Sequence, residues 1–62
     1  MKIHYGTKTF EWDRKTTVKR ILERLEILPE TVIVARNGEM VTEDEQVSPG
    51  DEVDIVRAIS GG

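Results

Sequence analysis

The 62-residue sequence predicts an α+β domain in which one helix covers one face of a mixed sheet of four to five strands. Apolar residues alternate with polar ones near both ends of the chain, as in strands, and a single apolar stripe between them has helical spacing. A chain this short can bury only about 60% of its unfolded surface, so we expect one compact core. With no cysteine in the sequence, that core must hold without a disulfide.

The N-terminal segment predicts a β-hairpin. Apolar and polar residues alternate through residues 1–5 and again around Phe10 and Trp12, and the intervening residues 6–8, Gly-Thr-Lys, provide a turn. His4 falls on the polar side of the first strand, so we expect it to be solvated rather than catalytic.

The next segment predicts one amphipathic helix of about ten residues. Its apolar stripe at positions i, i+3, i+4 and i+7 consists of Val18, Ile21, Leu22 and Leu25. Either Thr16 or Thr17 can supply the N-cap oxygen. We expect the helix to end at Leu28, because the residue before Pro29 is disfavoured in the helical region.

The second half of the chain predicts a further hairpin and a final strand. The β-branched residues 31–36 and residues 39–41 flank Asn37-Gly38, a dipeptide that tolerates the two positive φ angles of a type I′ turn. Residues 42–46 are polar and predict a surface loop, and residues 48–51, Ser-Pro-Gly-Asp, predict a turn.

The last strand is expected to be central. Val53 and Ile55 make one phase of the strand apolar, and Val56 and Ala58 make the other phase apolar as well. With the first and last strands parallel in the middle of the sheet, the order of elements predicts the ubiquitin-like β-grasp arrangement. We expect residues 1–59 to form this domain and residues 60–62 to form a flexible C-terminal tail.

Composition argues against an independent enzyme. One histidine and no cysteine cannot supply most zinc sites, and so short a chain has little room for a substrate pocket. We therefore expect no catalytic residue, no bound metal and no bound cofactor. The longest apolar run, Val32 to Ala35, is too short to span a membrane, and no signal peptide precedes it, so we expect a cytoplasmic protein.

Charge divides the chain into two parts. Residues 1–38 sum to +3, whereas residues 39–62 sum to −6. Because nucleic-acid binding normally requires a basic face, we expect no nucleic-acid partner and instead a protein with a basic surface. The alternative is that the acids only keep a small domain soluble. The acids expected to drive this association are six of the seven in residues 39–62, namely Glu43, Asp44, Glu45, Asp51, Glu52 and Asp54.

The terminal Gly61-Gly62 has no evident packing role. Glycine lacks a Cβ atom, so an extended Gly-Gly segment can pass through a narrow channel and bring its carboxylate to another protein's active site. A frayed end is the alternative explanation. The whole sequence resembles the ThiS/MoaD sulfur-carrier family of the β-grasp superfamily. The resemblance is clearest in three motifs, Asn37-Gly38-Glu39, Gly50-Asp51-Glu52-Val53 and Arg57-Ala58-Ile59-Ser60-Gly61-Gly62.

The resemblance implies a reaction at the chain terminus. The Gly62 carboxylate would be adenylated by an ATP- and Mg²⁺-using activating enzyme and then attacked by a persulfide sulfur donor, which leaves a thiocarboxylate for a sulfur-accepting synthase. Gly61 would provide access, and Ser60 only solubility. The acceptor pathway, thiazole formation, molybdopterin synthesis or tRNA thiolation, stays open. Two alternatives also stay open: a ubiquitin-like modifier conjugated to lysines through Gly62, and an interaction module without activation.

Docking of such a partner would need a surface beside the tail. If Val53 and Ile55 face the helix, Val56 and Ala58 lie on the open face of the sheet where the tail begins. Arg57 either forms an ion pair within the chain or steers the tail. These residues, with Ile59, are the predicted docking site of a carrier that is a monomer when free.

Overall fold

The computed structural model describes residues 1–58, so Ile59 and the predicted tail, residues 60–62, lie outside the described residues. In chain order the elements are β1 (Lys2–Tyr5), β2 (Lys8–Glu11), β3 (Thr16–Thr17), α1 (Val18–Arg24), a 3₁₀ turn (Pro29–Thr31), β4 (Val32–Arg36), β5 (Glu39–Val41), β6 (Gln46–Val47) and β7 (Glu52–Arg57).

A five-stranded sheet in the order β2-β1-β7-β4-β5 forms the main layer. The first and last strands pair in parallel, with Ile3 opposite Val53 and Tyr5 opposite Ile55, while β4 pairs antiparallel with the other edge of β7. The predicted mixed sheet with these two strands at its centre is confirmed. β7 therefore has a hydrogen-bonded neighbour along both edges.

One face of the sheet packs against α1 to form the core. The helical stripe contributes Val18, Ile21 and Leu22, each no more than 2% exposed. From the sheet they meet Ile3, Val34, Val53 and Ile55, and Met1, Ile27 and Val47 complete the buried set. Tyr5, Phe10 and Trp12 pack against this core while remaining half-buried.

A second, two-stranded sheet was not predicted. β3 pairs antiparallel with β6, which places Gln46 in a strand rather than in the predicted loop and leaves Val47 fully buried. The contact continues into the helix, since the Val18 N–H donates to the Glu45 carbonyl at 3.0 Å and the Lys19 N–H donates to the Glu43 carbonyl at 2.8 Å. These bonds hold the start of α1 against the acidic residues 43–45.

The helix begins as predicted but ends earlier. Thr17 is the N-cap, and its hydroxyl accepts from the Arg20 N–H at 3.2 Å. The prediction of about ten residues ending at Leu28 was wrong, because α1 has seven residues. Glu26 takes a left-handed φ of 58°, and the N–H groups of Glu26 and Ile27 donate to the carbonyls of Glu23 and Leu22. This is a Schellman motif, which terminates the helix before Pro29 can act.

Two strand limits also differ from the prediction. Strand β2 ends at Glu11, so Trp12 lies just after the strand. The backbone of Trp12 is nevertheless hydrogen-bonded to Met1. The Met1 ammonium donates to the Trp12 carbonyl at 2.6 Å, and the Trp12 N–H donates back to the Met1 carbonyl at 3.0 Å. Thr31 lies in the 3₁₀ turn instead of starting β4, because its N–H and hydroxyl both bond to the Leu28 carbonyl.

The β4–β5 turn is bonded to the start of β7. Asn37 and Gly38 have φ values of 52° and 88°, as a type I′ turn requires. The Asn37 side chain donates to Asp51 at 3.2 Å and accepts from the Glu52 N–H at 3.0 Å. Asp51 also accepts from the Ser48 N–H at 2.9 Å, and these donors lower the pKa of the Asp51 carboxyl from its ordinary value of 3.8.

The buried helix stripe predicts a large stability difference between two leucines. Leu22→Ala should lower the free energy of unfolding by about 2–5 kcal/mol, because Leu22 is 2% exposed and its loss leaves a cavity. Leu28→Ala is the matched control, since Leu28 is 62% exposed and should change stability by less than about 0.5 kcal/mol. Urea unfolding of both variants measures this difference, and equal losses would contradict the packing described.

The Asp51 hydrogen bonds predict an acid-sensitive part of the stability. Because the folded pKa of Asp51 lies below its unfolded value, the ionised carboxylate stabilises the fold above pH 4, and this contribution is lost as pH falls through the folded pKa. The stability difference between the natural chain and Asp51→Asn should therefore shrink on acidification.

Urea unfolding at a series of pH values between 2 and 6 measures that difference. Asn37→Gly is the companion variant, because it keeps the left-handed turn but removes one donor to Asp51. It should weaken the pH dependence without abolishing it, since the Ser48 N–H still bonds to the carboxylate. A difference between the natural chain and Asp51→Asn that is constant with pH would refute the assignment.

Candidate functional site

The end of β7 is the place from which the C-terminal segment continues. The last described backbone hydrogen bond runs from the Ala58 N–H to the Thr31 carbonyl at 2.9 Å, so the chain is held to the start of β4 up to that residue. Val56, Arg57 and Ala58 are all exposed. The other predicted site residues, Ile59, Ser60, Gly61 and Gly62, lie outside the described residues.

An apolar patch occupies the open face of the sheet next to this end. Val56 is 59% exposed and lies on the face opposite Val53 and Ile55, as the alternation predicts. Its register partner on β4 is Ile33, which is 42% exposed. On the next strand Met40 is 75% exposed, opposite Ala35. We call these four residues, Ile33, Ala35, Met40 and Val56, the open-face patch.

Sequence reasoning missed three members of the patch, Ile33, Ala35 and Met40. The signal was present for Ile33, because residues 32–35 are apolar in both phases, the same pattern that identified β7 as central. Met40 gave no comparable signal, since the short segment 39–41 has too few residues to show an alternation. The register of β4 against β7 places Ile33 beside Val56, and this register could not be predicted from the sequence alone.

Polar and acidic side chains border the patch. His4 Nε2 lies 2.8 Å from the Glu52 carboxylate, and the Thr9 hydroxyl lies 3.3 Å from His4 Nδ1. Asp54 lies on the same face of the sheet, directly opposite His4 in the β1–β7 pair. Next to Val56 this region forms a notch of about 620 Å³ that reaches Arg57. His4 is thus half-buried and bonded to a carboxylate rather than simply solvated.

Arg57 forms no ion pair within the described residues. The two ion pairs of residues 1–58 join His4 to Glu52 and Arg36 to Glu45. Arg57 belongs to neither pair, and its side chain is exposed at the end of β7. An intrachain partner of Arg57 is thus not found among residues 1–58, and both roles of Arg57 stay predictions.

Other kinds of site find no support in the part of the chain that the structure describes. No three His, Asp or Glu side chains of residues 1–58 gather closely enough to hold a metal ion. The helix there is also far too short to cross a membrane. What this end of the sheet offers is a strand whose last two residues are paired with β4, beside an apolar patch with acidic neighbours.

Comparison with known proteins identifies similar chains. The model of the ThiS family matches residues 2–62. The sulfur carrier protein TtuB of Thermus thermophilus is 38% identical over 45 residues, which cover 73% of this chain and 69% of the TtuB chain. An uncharacterized protein of Archaeoglobus fulgidus is 52% identical over 42 residues, which cover 68% of this chain and 61% of that protein.

A solved structure has the same fold. The crystal structure of the thiamine biosynthesis protein ThiS from Geobacter metallireducens superposes with a TM-score of 0.71 at 26% identity, over 100% of both chains. The ubiquitin-like β-grasp prediction is confirmed by this similarity together with the strand order.

Proposed function

This chain belongs to the ThiS family of sulfur carrier proteins, and from that premise we propose that its Gly62 carboxylate is activated as an acyl adenylate and converted to a thiocarboxylate. The observation that carries the proposal is the Gly61-Gly62 sequence, in which Gly62 lies only four residues beyond Ala58, the residue whose N–H still bonds to the Thr31 carbonyl. Four residues reach at most about 14 Å, so the sheet would present the terminus close to the open-face patch.

The chemistry needs no catalytic side chain on this domain. A Gly62 carboxylate oxygen attacks the α-phosphorus of ATP and releases pyrophosphate, which turns a poor leaving group into AMP. A persulfide sulfur then attacks the acyl carbon and expels AMP, and a thiol cleaves the resulting S–S bond to free the thiocarboxylate. The activating partner supplies ATP, Mg²⁺ and charge stabilisation, so the domain acts as a carrier and not as an enzyme.

The domain's own part is to present the terminus and to be recognised. Glycine at position 61 keeps the terminal segment narrow enough for a partner's channel, since it has no Cβ atom. We propose that the open-face patch docks on the activating partner, with Val56 and Ile33 as the apolar contacts. Glu52 and Asp54 on the same face then favour a partner surface that is basic.

A sulfur-loading assay with the full chain, ATP, Mg²⁺, an activating enzyme and a persulfide donor tests the proposal. The intact mass should increase by one oxygen-to-sulfur exchange, and fragmentation should locate the change at Gly62, the only place where a chain without cysteine can acquire sulfur this way. Deletion of Gly62 should abolish the change, and Gly61→Leu should impair it by steric exclusion.

Two further variants test the docking surface in the same assay. Val56→Ser should slow loading while the fold is retained, because the side chain is exposed. Lys19→Ser is the control, since Lys19 is exposed on α1, on the other side of the sheet, and its loss should leave loading unchanged. Accumulation of lysine conjugates without sulfur gain would support the modifier alternative, and neither product would support a plain interaction module.

A further inference from the structure

A basic groove lies at the end of the molecule opposite the functional site. It has a volume of about 690 Å³, and its walls come from the segment between β2 and β3 and from one side of α1. Its charged lining residues are Asp13, Arg14, Lys15, Arg20 and Arg24. The groove thus has a net charge of +3 in a chain whose net charge is −3, which leaves −6 on the rest of the molecule.

The cations of this groove are free to bind an external group. Both ion pairs found in residues 1–58 involve other side chains, and all four groove cations are exposed. Arg14 and Lys15 precede the helix that carries Arg20 and Arg24. The fold brings the two pairs together along one concave surface.

The fold also holds the groove in shape. Trp12 is bonded to Met1 through two backbone hydrogen bonds, and β3 is paired with β6, so both ends of the segment that carries Arg14 and Lys15 are fixed. The guanidinium of Arg24 lies 5.6 Å from the centre of the Trp12 ring, a cation–π contact that positions it at the groove wall. Binding therefore requires little ordering of the protein.

The groove and the C-terminal end can be occupied at the same time. Trp12 is bonded to Met1 at the start of β1, and β1 runs parallel to β7, so the groove lies near the start of β7. The chain leaves the sheet at the other end of that six-residue strand, about 20 Å away at a rise of roughly 3.3 Å per residue. A partner at the tail need not cover the groove.

From these observations we propose that the groove binds an acidic segment of a partner protein. Three of its four cations are arginine, whose planar guanidinium pairs with two carboxylate oxygens at once. A short acidic segment bound in the groove is attracted by the cations of the groove and is little repelled by the acids elsewhere on the molecule, because charges are screened beyond about 8 Å at physiological ionic strength.

Nucleic acid fits the same groove less well. A long polyanion would extend from the groove over a surface of charge −6, where it is repelled. Single strands also need an open aromatic face for base stacking, and Arg24 already covers one face of Trp12, the one aromatic residue that lines the groove.

Titration of the ¹⁵N-labelled full chain with end-blocked hexaglutamate tests this site. Shift changes should be confined to residues 12–24 and their contacts, and they should weaken as salt is added. The double variant Arg14→Gln/Lys15→Gln should reduce affinity about fivefold, as expected for the loss of two exposed ion pairs. Arg20→Gln/Arg24→Gln should do the same from the other wall of the groove.

The matched control removes two charges at the opposite end of the sheet. Lys8→Gln/Arg57→Gln should bind hexaglutamate as the natural chain does, because Lys8 and Arg57 are exposed and lie outside the groove. The proposal is overturned if the groove variants retain full affinity, if shift changes spread over the whole surface, or if hexauridylate binds more tightly than hexaglutamate at equal ionic strength.

Discussion

Parallel pairing of β1 with β7 is the constraint on which the rest of the structure depends. A parallel pair cannot be closed by a tight turn, so the whole intervening chain, with α1 and the β4–β5 hairpin, has to cross over between the two strands. Ile3 and Val53 meet in this pair and are both fully buried. The pairing also fixes both ends of the domain, because it brings the start of β1 beside the start of β7 and leaves the end of β7 at the opposite edge of the molecule.

This arrangement separates the surfaces by chemistry. The face of β7 that carries Val53 and Ile55 is buried in the core, whereas the other face presents Val56 beside Ile33, near the end of β7. The acids Glu52 and Asp54 border this open-face patch, and the basic groove lies near the other end of the sheet. A carrier that must meet more than one protein benefits from such separation, since an apolar, acid-bordered surface and a basic surface select different partners.

The sequence predicted those parts of the fold that depend on local pattern. Asn37 and Gly38 identified their turn because few residue pairs tolerate two positive φ angles, and β7 was recognised as central from its two apolar faces. The early end of α1 could not be predicted, since Glu26 is neither Gly nor Asn and its left-handed φ depends on surrounding contacts. The β3–β6 pair, and with it the basic groove, depends on contacts distant in sequence. For the candidate site, the Gly-Gly motif and Val56 were evident, whereas Ile33 required the register of two strands.

Native-state hydrogen exchange of β7 tests most directly whether the last strand is a rigid base for the C-terminal segment. Val53 and Ile55 are buried, and β7 is hydrogen-bonded along both edges, so the amides of residues 53–56 should exchange only when the whole domain unfolds. Their free energies of exchange should equal the global free energy of unfolding measured with urea, while amides on the outer edges of β2 and β5 exchange sooner. Exchange of residues 53–56 through a local opening well below the global value, with the rest of the sheet intact, would contradict this account.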